Sequence, residues 1–509
     1  MRVKTDSAGV RADPDGRFAL PDARYFSVTW EIPADFAGMT TAFLTRNRAF
    51  ERLGGRPVDV LTFDASAHYP ELQRSLRERG MLSQRARVIN LWDWLREHPQ
   101  PASEPARVPE SFSPLDPSQT WMTTERDGVV LTRARTDAAG VVLQLDHYRA
   151  DGSLLLSDRR DVRRRGQLGG RSLVLCDESG TPHWSWARGR GLYHHWLDLL
   201  QASEPAVMLV DSKTAAAFMA DYRRDNTVVA HIIHGSHLND RGDELRASRR
   251  ESFDRLADFD LVVTLTESQK RDIQARQPQL RNLVSIPNMV EPDSQPPAAG
   301  RPVESAAVLA SLIPRKRVSH AIRAVAAARE STGRPVRLSV YGDGPQRPKL
   351  QALIGRLEAE EYVTLAGHVP DARRRLAETS MLLLTSHSEG FGLVLLEAMA
   401  EGCIPFAYDV PYGPADLITD GVNGFLVPAS ELDALAARIE EFLALDEAAV
   451  EQLRANARAT VTKYSDENVT ALWSAALGSV FSGRGAPGAG KRGAGARGAV
   501  RALRKRFGR

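Results

Sequence analysis

The chain has 509 residues, enough for roughly two to four domains, and its 42% apolar content allows sizeable cores, which excludes a wholly disordered protein. The net charge of +3 conceals an asymmetry: residues 482–509 carry nine basic and no acidic residues, whereas 58 basic and 64 acidic residues remain elsewhere. This mildly acidic body argues against nucleic-acid binding. Two cysteines exclude a disulfide scaffold, and no stretch of 18 apolar residues occurs, so we expect a cytoplasmic protein.

The first segments predict a parallel α/β sheet. Residues 25–32 predict a strand, residues 41–53 a helix and residues 57–63 a second strand. We therefore assign residues 1–83 to the first part of an N-terminal Rossmann-like domain. The alternation of strands and helices returns in residues 194–287, with strands predicted at 205–211, 227–234 and 261–265. We assign these residues to the second part of the same domain.

Residues 84–193 have a different pattern. A proline-rich stretch precedes short alternating segments at 128–133, 141–148 and 172–176, which are separated by hairpin-turn dipeptides such as Asp151-Gly152. This pattern predicts an antiparallel β insertion in the N-terminal domain.

A proline-rich linker is predicted at 288–302, followed by a second doubly wound domain at 303–465. Residues 466–481 predict a C-terminal helix that crosses back, and residues 482–509 form a basic tail rich in Gly, Ala and Arg. The predicted fold class is thus α/β, with two Rossmann-like domains facing a cleft. Ligands are expected at the carboxyl ends of the strands, so functional residues should lie in the loops that follow them.

The most informative stretch runs from His387 to Met399, HSEGFGLVLLEAM. A strand ends before it, two glycines permit a tight turn, and a helix begins near Gly392, whose free N–H groups can bind an anion. Glu389 precedes that helix and Glu397 lies within it, about 8 Å along the axis from its start. This separation suits a diphosphate between a sugar and a ribose.

The EGFGLVLLE pattern resembles the signature of retaining family-4 glycosyltransferases, which have the GT-B fold. The resemblance implies that Glu389 contacts hydroxyls of the donor sugar and that Glu397 holds the nucleotide ribose. It also implies a UDP-sugar as co-substrate. The expected donor-binding residues are Gly38, Arg315, Lys316, Gly342, His368, Glu389, Gly390, Phe391, Gly392, Leu393 and Glu397.

Lys316 follows a strand and begins a helix, where an ammonium can neutralise a diphosphate leaving group. With Glu389 and His234 it forms the expected catalytic set. The family's arginine five residues before this lysine is replaced by Ser311, and Arg315 or Arg317 is a candidate substitute. We expect neither a metal nor another cofactor.

Three histidines, His231, His234 and His237, follow one another near the end of the strand predicted at 227–234. Their spacing at first suggests zinc, but no cysteine or carboxylate stands at a convincing spacing to complete a site. In the resembling family a histidine after this strand lines the donor-sugar and acceptor pocket. We expect His234 there, His237 in acceptor binding and His231 in the core.

Further segments, among them His234-Gly235-Ser236-His237 and Tyr412-Gly413-Pro414, resemble teichoic-acid α-glycosyltransferases. The resemblance implies transfer of glucose or N-acetylglucosamine from UDP-glucose or UDP-N-acetylglucosamine to an anionic polyol-phosphate cell-wall polymer. In those enzymes an extra β domain at the place of residues 84–193 is implicated in oligomerisation and acceptor binding, so the resemblance implies such a role for the insertion. Acceptor recognition is expected from a basic cluster there, comprising Arg159, Arg160, Arg163, Arg164 and Arg165, with Arg163 and Arg164 as the expected acceptor-binding residues.

Two alternative functions stay open. One is transfer to Ser/Thr of a surface protein, and the other is a non-catalytic subunit that keeps the fold for binding or as a chaperone. A homo-oligomer is plausible. The tail is either a disordered segment or a helix that holds the enzyme peripherally on an anionic membrane surface.

Overall fold

The computed structural model describes residues 16–34, 36, 38–99, 109–239, 242–291 and 300–484. These residues divide into two compact units. One comprises Asp22–Phe36 and Arg56–Val229, and the other comprises the remaining described residues. We call them the insertion unit and the loop unit.

The strands follow one another along the chain as β1 (Arg24–Val28), β2 (Val58–Thr62), β3 (Val88–Asn90), β4 (Met122–Arg126), β5 (Val129–Thr136), β6 (Val142–Tyr148), β7 (Leu154–Arg159), β8 (Ser172–Cys176), β9 (Pro182–Trp186), β10 (Ala206–Val210), β11 (Thr227–Ile233), β12 (Leu261–Thr264), β13 (Leu283–Ser285), β14 (Ser305–Leu309), β15 (Arg337–Tyr341), β16 (Val363–Gly367), β17 (Met381–Leu384), β18 (Ile404–Asp409) and β19 (Phe425–Pro428).

The α-helices are α1 (Met39–Gly54), α2 (Tyr69–Glu78), α3 (Leu91–Glu97), α4 (Gly189–Gln201), α5 (Lys213–Met219), α6 (Arg250–Phe253), α7 (Glu267–Arg276), α8 (Val318–Thr332), α9 (Arg347–Arg356), α10 (Leu393–Ala400), α11 (Pro414–Leu417), α12 (Leu432–Leu443), α13 (Glu447–Val461) and α14 (Asp466–Arg484). Short 3₁₀ turns occur at Ala247–Arg249, Leu256–Asp258, Pro314–Lys316, Ala372–Glu378 and Thr462–Tyr464.

The insertion unit contains two kinds of sheet. Strands β10, β1, β2 and β3 are neighbours in that order and run parallel. Strands β4 to β9 form a six-stranded antiparallel sheet in chain order. The predicted antiparallel insertion is therefore present, although β3 and α3 show that α/β structure continues past residue 84 before that sheet begins.

The loop unit contains the predicted second doubly wound domain. Its sheet has the strand order β16-β15-β14-β17-β18-β19, with every pair parallel. Strands β11, β12 and β13 also pair in parallel, and the β11 to β12 register begins at Ala230 and Leu261. The strand β17, with the sequence MLLL, is buried throughout, as expected for a parallel strand covered on both faces.

Local sequence explains where several helices begin. Ser212, Thr266 and Asp446 each accept a hydrogen bond from a backbone N–H in the first turn of α5, α7 and α13. Such capping satisfies donors that have no partner within the helix. Strand β17 is followed by a loop and α10, and this loop carries the predicted site residues Glu389 to Gly392.

Helix α14 confirms the predicted C-terminal helix and packs on α1. Trp473 meets Phe50 edge to face at 5.8 Å between ring centroids, and Arg46 lies over the Trp473 ring. Within the described part of the chain, no helix is long and apolar enough to cross a membrane. Residues 292–299 of the predicted linker, and 485–509 of the tail with its predicted membrane contact, lie outside the described residues.

Candidate active site

The loop between β17 and α10 carries the two glutamates that the sequence singles out. Glu389 lies in the loop, and Glu397 lies in the second turn of α10. Gly392 is the residue before the helix and has a left-handed φ of 79°, which glycine adopts without the steric cost of a Cβ atom. Leu393 is the first residue of α10, and Phe391 is buried with its ring against Tyr464. The strand, loop and helix are therefore arranged as predicted.

Lys316 and Glu389 form an ion pair. The Lys316 Nζ atom donates to Glu389 Oε1 at 2.5 Å, and only 17% and 10% of the respective side chains are exposed. Burial acts to raise the pKa of Glu389, but the Lys316 ammonium outweighs it, so the pKa lies below its ordinary value. Glu389 is therefore a charged carboxylate at neutral pH, able to accept hydrogen bonds from hydroxyl groups.

Two further contacts join the Lys316 turn to the Glu389 loop. Arg315 Nη1 donates to the Ser388 carbonyl at 2.8 Å, and the His387 N–H donates to the Arg315 carbonyl at 2.8 Å. Arg317 instead turns to Ser430, where its guanidinium donates to the hydroxyl. Of the two candidate substitutes for an arginine at position 311, Arg315 is thus the one beside the loop.

Glu397 has a different electrostatic environment from Glu389. Its side chain is half-buried, and burial raises its pKa to about 7, with Arg373 opposing the rise. The carboxyl group consequently gains and loses its proton near neutral pH. A group of this kind can either donate to or accept from a ligand hydroxyl, depending on pH.

The segment Pro411–Gly413 supports the Glu389 backbone. The Glu389 N–H donates to the Pro411 carbonyl at 3.2 Å, and the Tyr412 N–H donates to the Glu389 carbonyl at 2.9 Å. The Tyr412 hydroxyl donates to Asp272 Oδ2 at 2.7 Å, so a side chain of α7 restrains this support. Asp272 did not emerge from the sequence, because its ordinary position on a polar helix gave no signal.

The three histidines have different surroundings. His231 is buried against Phe259, as expected for a core residue. His234 is half-buried, and its carbonyl faces Gly390: a Cβ atom on Gly390 would lie 2.1 Å from that oxygen. The residue after Glu389 must therefore be glycine for the two segments to approach this closely. His234 is thus beside the Glu389 loop.

His237 is fully buried within a stack of aromatic rings. Its ring lies between Phe253 and Tyr412, at centroid distances of 5.3 and 5.5 Å. Among the described residues neither ring nitrogen has a hydrogen-bond partner. Burial, with a contribution from Arg276, lowers the pKa to about 4, so the ring is neutral at pH 7. In this structure the side chain packs against other rings, and its role in acceptor binding stays a prediction.

The remaining donor-site candidates in the loop unit are turn residues. Gly342 follows β15, has a φ of 136° and donates its N–H to the Gly367 carbonyl at 2.7 Å. A Cβ atom there would lie 2.0 Å from the Ala310 carbonyl, so the turn requires glycine. His368 is exposed directly after β16, and Gly38 is an exposed residue at the start of α1. Ala37 lies outside the described residues.

The basic cluster of the antiparallel sheet is only partly available for a ligand. Arg163 and Arg164 are exposed in the connection between β7 and β8. Arg159 and Arg160, which the sequence groups with them, instead pair with buried Asp161 and Asp158. Each of these aspartates is two residues from its arginine, a spacing in the sequence that could have indicated the pairing. Acceptor binding by Arg163 and Arg164 stays a prediction.

The described residues contain no group of three or more His, Cys, Asp or Glu side chains arranged to hold a metal ion. What they do contain, around one loop, is a charged carboxylate paired to a lysine, a titrating carboxyl group on the following helix and two glycine-dependent turns. This set fits a ligand with hydroxyl groups on either side of an anionic centre. Such a set on parallel α/β sheets is what a glycosyltransferase with the GT-B fold is expected to have.

Comparisons with known proteins agree with that class. Residues 298–460 match the family of glycosyl transferases group 1, so the chain carries a domain of this family. The chain is 22% identical to the poly(glycerol-phosphate) alpha-glucosyltransferase of Bacillus subtilis (strain 168) over 518 aligned residues, 91% of this chain and 76% of the relative. It is 21% identical to the poly(ribitol-phosphate) alpha-N-acetylglucosaminyltransferase of Staphylococcus aureus (strain COL), covering 88% of this chain and 98% of the relative.

The fold is also found in a solved structure. A mutant of TarM from S. aureus, in complex with fondaparinux, alpha-GlcNAc-glycerol and UDP, has a TM-score of 0.75 to this chain at 20% identity. The likeness covers 89% of this chain and 99% of the TarM chain. The predicted GT-B fold class is confirmed.

Proposed function

We propose that this chain transfers glucose or N-acetylglucosamine from a UDP-sugar to hydroxyl groups of an anionic polyol-phosphate polymer, with retention of configuration at the anomeric carbon. The observation that carries the proposal is the Lys316–Glu389 ion pair in the loop before α10. The similarity to the two polyol-phosphate glycosyltransferases, which extends along about nine-tenths of the chain, supports this acceptor class.

Each charged group has a role in the proposed reaction. Glu389, kept ionised by Lys316, accepts hydrogen bonds from hydroxyls of the donor sugar. An ammonium has three N–H donors, so Lys316 has two left for phosphate oxygens after its bond to Glu389. The N–H groups at the start of α10 and Gly38 add neutral contacts to the diphosphate. Glu397 holds the ribose.

In the transfer step, the acceptor oxygen forms a bond to the anomeric carbon, and the bond from that carbon to the diphosphate oxygen breaks. The acceptor hydroxyl loses its proton to the departing diphosphate on the same face of the sugar. Lys316 neutralises the charge that develops on the leaving group, which is the main way such preorganised sites accelerate reactions. His234, beside the Glu389 loop, lines the sugar and acceptor side.

The experiment is a transfer assay with radiolabelled UDP-glucose and UDP-N-acetylglucosamine and with polyglycerol phosphate or polyribitol phosphate as acceptor. We expect label on the polymer and, by NMR, an α-linked product. Glu389→Ala should abolish transfer, whereas Glu378→Ala, an exposed glutamate on the 3₁₀ turn before β17, should retain it.

Two results would overturn the proposal. Label on a Ser/Thr-rich protein and not on either polymer would indicate a protein acceptor. Absence of both transfer and UDP-sugar hydrolysis in the folded protein would indicate a non-catalytic subunit.

The proposal includes a peripheral location at an anionic membrane surface through residues 482–509, supported by their nine basic residues. Flotation with phosphatidylglycerol vesicles should carry the full chain but not a chain ending at Gly483. Equal flotation of both would contradict it. A homo-oligomer is also proposed, and light scattering of the purified protein at several concentrations tests it.

A further inference from the structure

One arginine beside the Glu389 loop was not singled out by the sequence. Arg249 ends the 3₁₀ turn Ala247–Arg249, and its Nη2 atom lies 2.7 Å from where a Cβ atom on Gly235 would be. Gly235 in turn faces Gly390, whose Cβ atom would lie 2.6 Å from the Gly235 Cα atom. The guanidinium thus lies over the backbone that contacts the residue after Glu389.

The second feature of Arg249 is its lack of an acidic partner in the described part of the chain. Among the residues that the structure describes, no carboxylate forms an ion pair with it, and the charges acting on it are those of Arg246 and Arg315. Burial and these two like charges lower the pKa of Arg249 to about 10. It remains a cation at pH 7, although its surroundings disfavour the charge.

The charges around the loop are therefore unbalanced. Arg315 uses one N–H group on the Ser388 carbonyl, and Lys316 is paired with Glu389. Of Arg249, Arg315 and Lys316, only Lys316 forms an ion pair among the described residues. Arg249 lies over Gly235, which contacts Gly390, and Arg315 donates to the Ser388 carbonyl, so both guanidinium groups adjoin the same loop. Like charges without a counter-ion are costly, and a bound anion lowers that cost.

We propose that Arg249 and Arg315 bind a phosphate group of a substrate. The inference rests on the proposed function for the identity of that substrate, which supplies phosphate from two sources: the diphosphate of the UDP-sugar and the phosphodiester of the polymer. A guanidinium can bind the diphosphate or the phosphodiester through two parallel N–H hydrogen bonds, which an ammonium cannot do. Gly235 leaves the room that the Arg249 side chain occupies.

The test measures binding by calorimetry, with UDP, uridine, inorganic pyrophosphate and polyglycerol phosphate as separate probes. Arg249→Ala should weaken at least one phosphate-bearing probe by about tenfold to a hundredfold, the range for a charge-assisted hydrogen bond. Uridine affinity should not change. Arg249→Lys, which keeps the charge but not the fork, should give a smaller loss.

Two further variants separate this effect from misfolding and from simple loss of charge. Gly235→Ala leaves the arginine in place but forces its guanidinium to move, so it should weaken the same probe as Arg249→Ala. Arg250→Ala removes an equal charge from an adjacent, exposed position and should leave every affinity unchanged. Melting temperatures should match the wild type.

The probes distinguish the two phosphate sources. Weaker UDP and pyrophosphate binding assigns Arg249 to the donor diphosphate, and weaker polymer binding alone assigns it to the acceptor. Unchanged affinity for all four probes, or an equal loss in Arg250→Ala, overturns the inference. Because no arm depends on sugar transfer, failure of the proposed function in the transfer assay would be seen separately.

Discussion

Two groups of arginines in this molecule have opposite electrostatic surroundings. In the antiparallel sheet, buried Asp161 accepts from Arg135 and Arg159, and buried Asp158 accepts from Arg160 and Arg171. Around the Glu389 loop, Arg249 has no carboxylate partner among the described residues, and Arg315 is held by a carbonyl. The first group is satisfied by the protein itself, whereas the second needs an anion from outside. The same type of side chain can thus stabilise a sheet in one place and bind a ligand in another.

The largest effect should come from breaking the Lys316–Glu389 ion pair beside the two arginines of the Glu389 loop. Lys316→Met removes the cation that neutralises the leaving group and leaves Glu389 buried without its partner. We expect transfer to fall by about a thousandfold, equivalent to about 4 kcal/mol. Steady-state kinetics with UDP-sugar and polymer measure it. Lys349→Met, at an exposed position of α9, is the control, and an equal loss there would contradict the assignment.

Breaking an ion pair of the antiparallel sheet should reduce the stability of the fold and leave ligand binding intact. Asp161→Asn should lower the free energy of unfolding by about 3 kcal/mol, since two half-buried arginines lose their buried counter-charge. Despite burial, hydrogen bonds from Gly166, Arg159 and Arg135 hold the pKa of Asp161 below its ordinary value of 3.8. Its stabilisation is therefore complete above that value and is lost as the pH falls through the lowered pKa.

Urea unfolding at pH 7 and at lower pH measures this effect, with Asp151→Asn at an exposed turn as the control. UDP affinity should be unchanged in Asp161→Asn. If Asp161→Asn lost UDP affinity but not stability, the arginines of the sheet would not differ in role from those beside the Glu389 loop.

A smaller effect should appear in the pH dependence of nucleoside binding. Burial raises the pKa of Glu397 to about 7, and only the charged carboxylate accepts bonds from both ribose hydroxyls. Uridine affinity should therefore rise by about tenfold from pH 6 to pH 8. Glu397→Gln should bind uridine more weakly at pH 8, with a flat profile. Uridine is the right probe because it has no phosphate of its own to titrate, and a flat wild-type profile would refute the prediction.

The smallest effect concerns an uncharged group. His237→Phe keeps a ring between Phe253 and Tyr412 but removes two unpartnered nitrogens, so it should stabilise the protein by about 1 kcal/mol at pH 7. Because the folded pKa of about 4 lies below the unfolded value near 6.5, wild-type stability falls as pH drops through that interval. The phenylalanine variant lacks this loss, so thermal melts should diverge towards low pH. Its KM for polymer also tests whether His237 binds the acceptor.

Local pattern was enough to predict the fold and the positions of the glutamates. The strand β10, for example, lies at Ala206–Val210 within the predicted 205–211, because a short apolar run between turn residues specifies a strand without tertiary information. The turn before α10 was equally predictable, because Gly392 adopts the left-handed conformation that precedes the helix. These features depend on neighbours in sequence.

Contacts between residues that are distant along the chain could not be predicted from the sequence. Arg135 and Arg171 pair in the sheet with Asp161 and Asp158, which lie 26 and 13 residues away along the chain. Arg249 looks like one of several surface arginines, and only the fold places it over Gly235. His237 looks like a pocket residue, and the fold encloses it among rings. Each depends on contacts across the fold, and residue type alone does not specify them.

The approach of Gly390 to the His234 carbonyl also limits how this enzyme can change. A methyl group at position 390 would lie 2.1 Å from that oxygen, more than an ångström inside ordinary contact distance. Any other amino acid there must push apart the two segments that hold Glu389 and His234. Position 390 therefore has to remain glycine, and any change in the surroundings of Glu389 has to come from side chains at other positions.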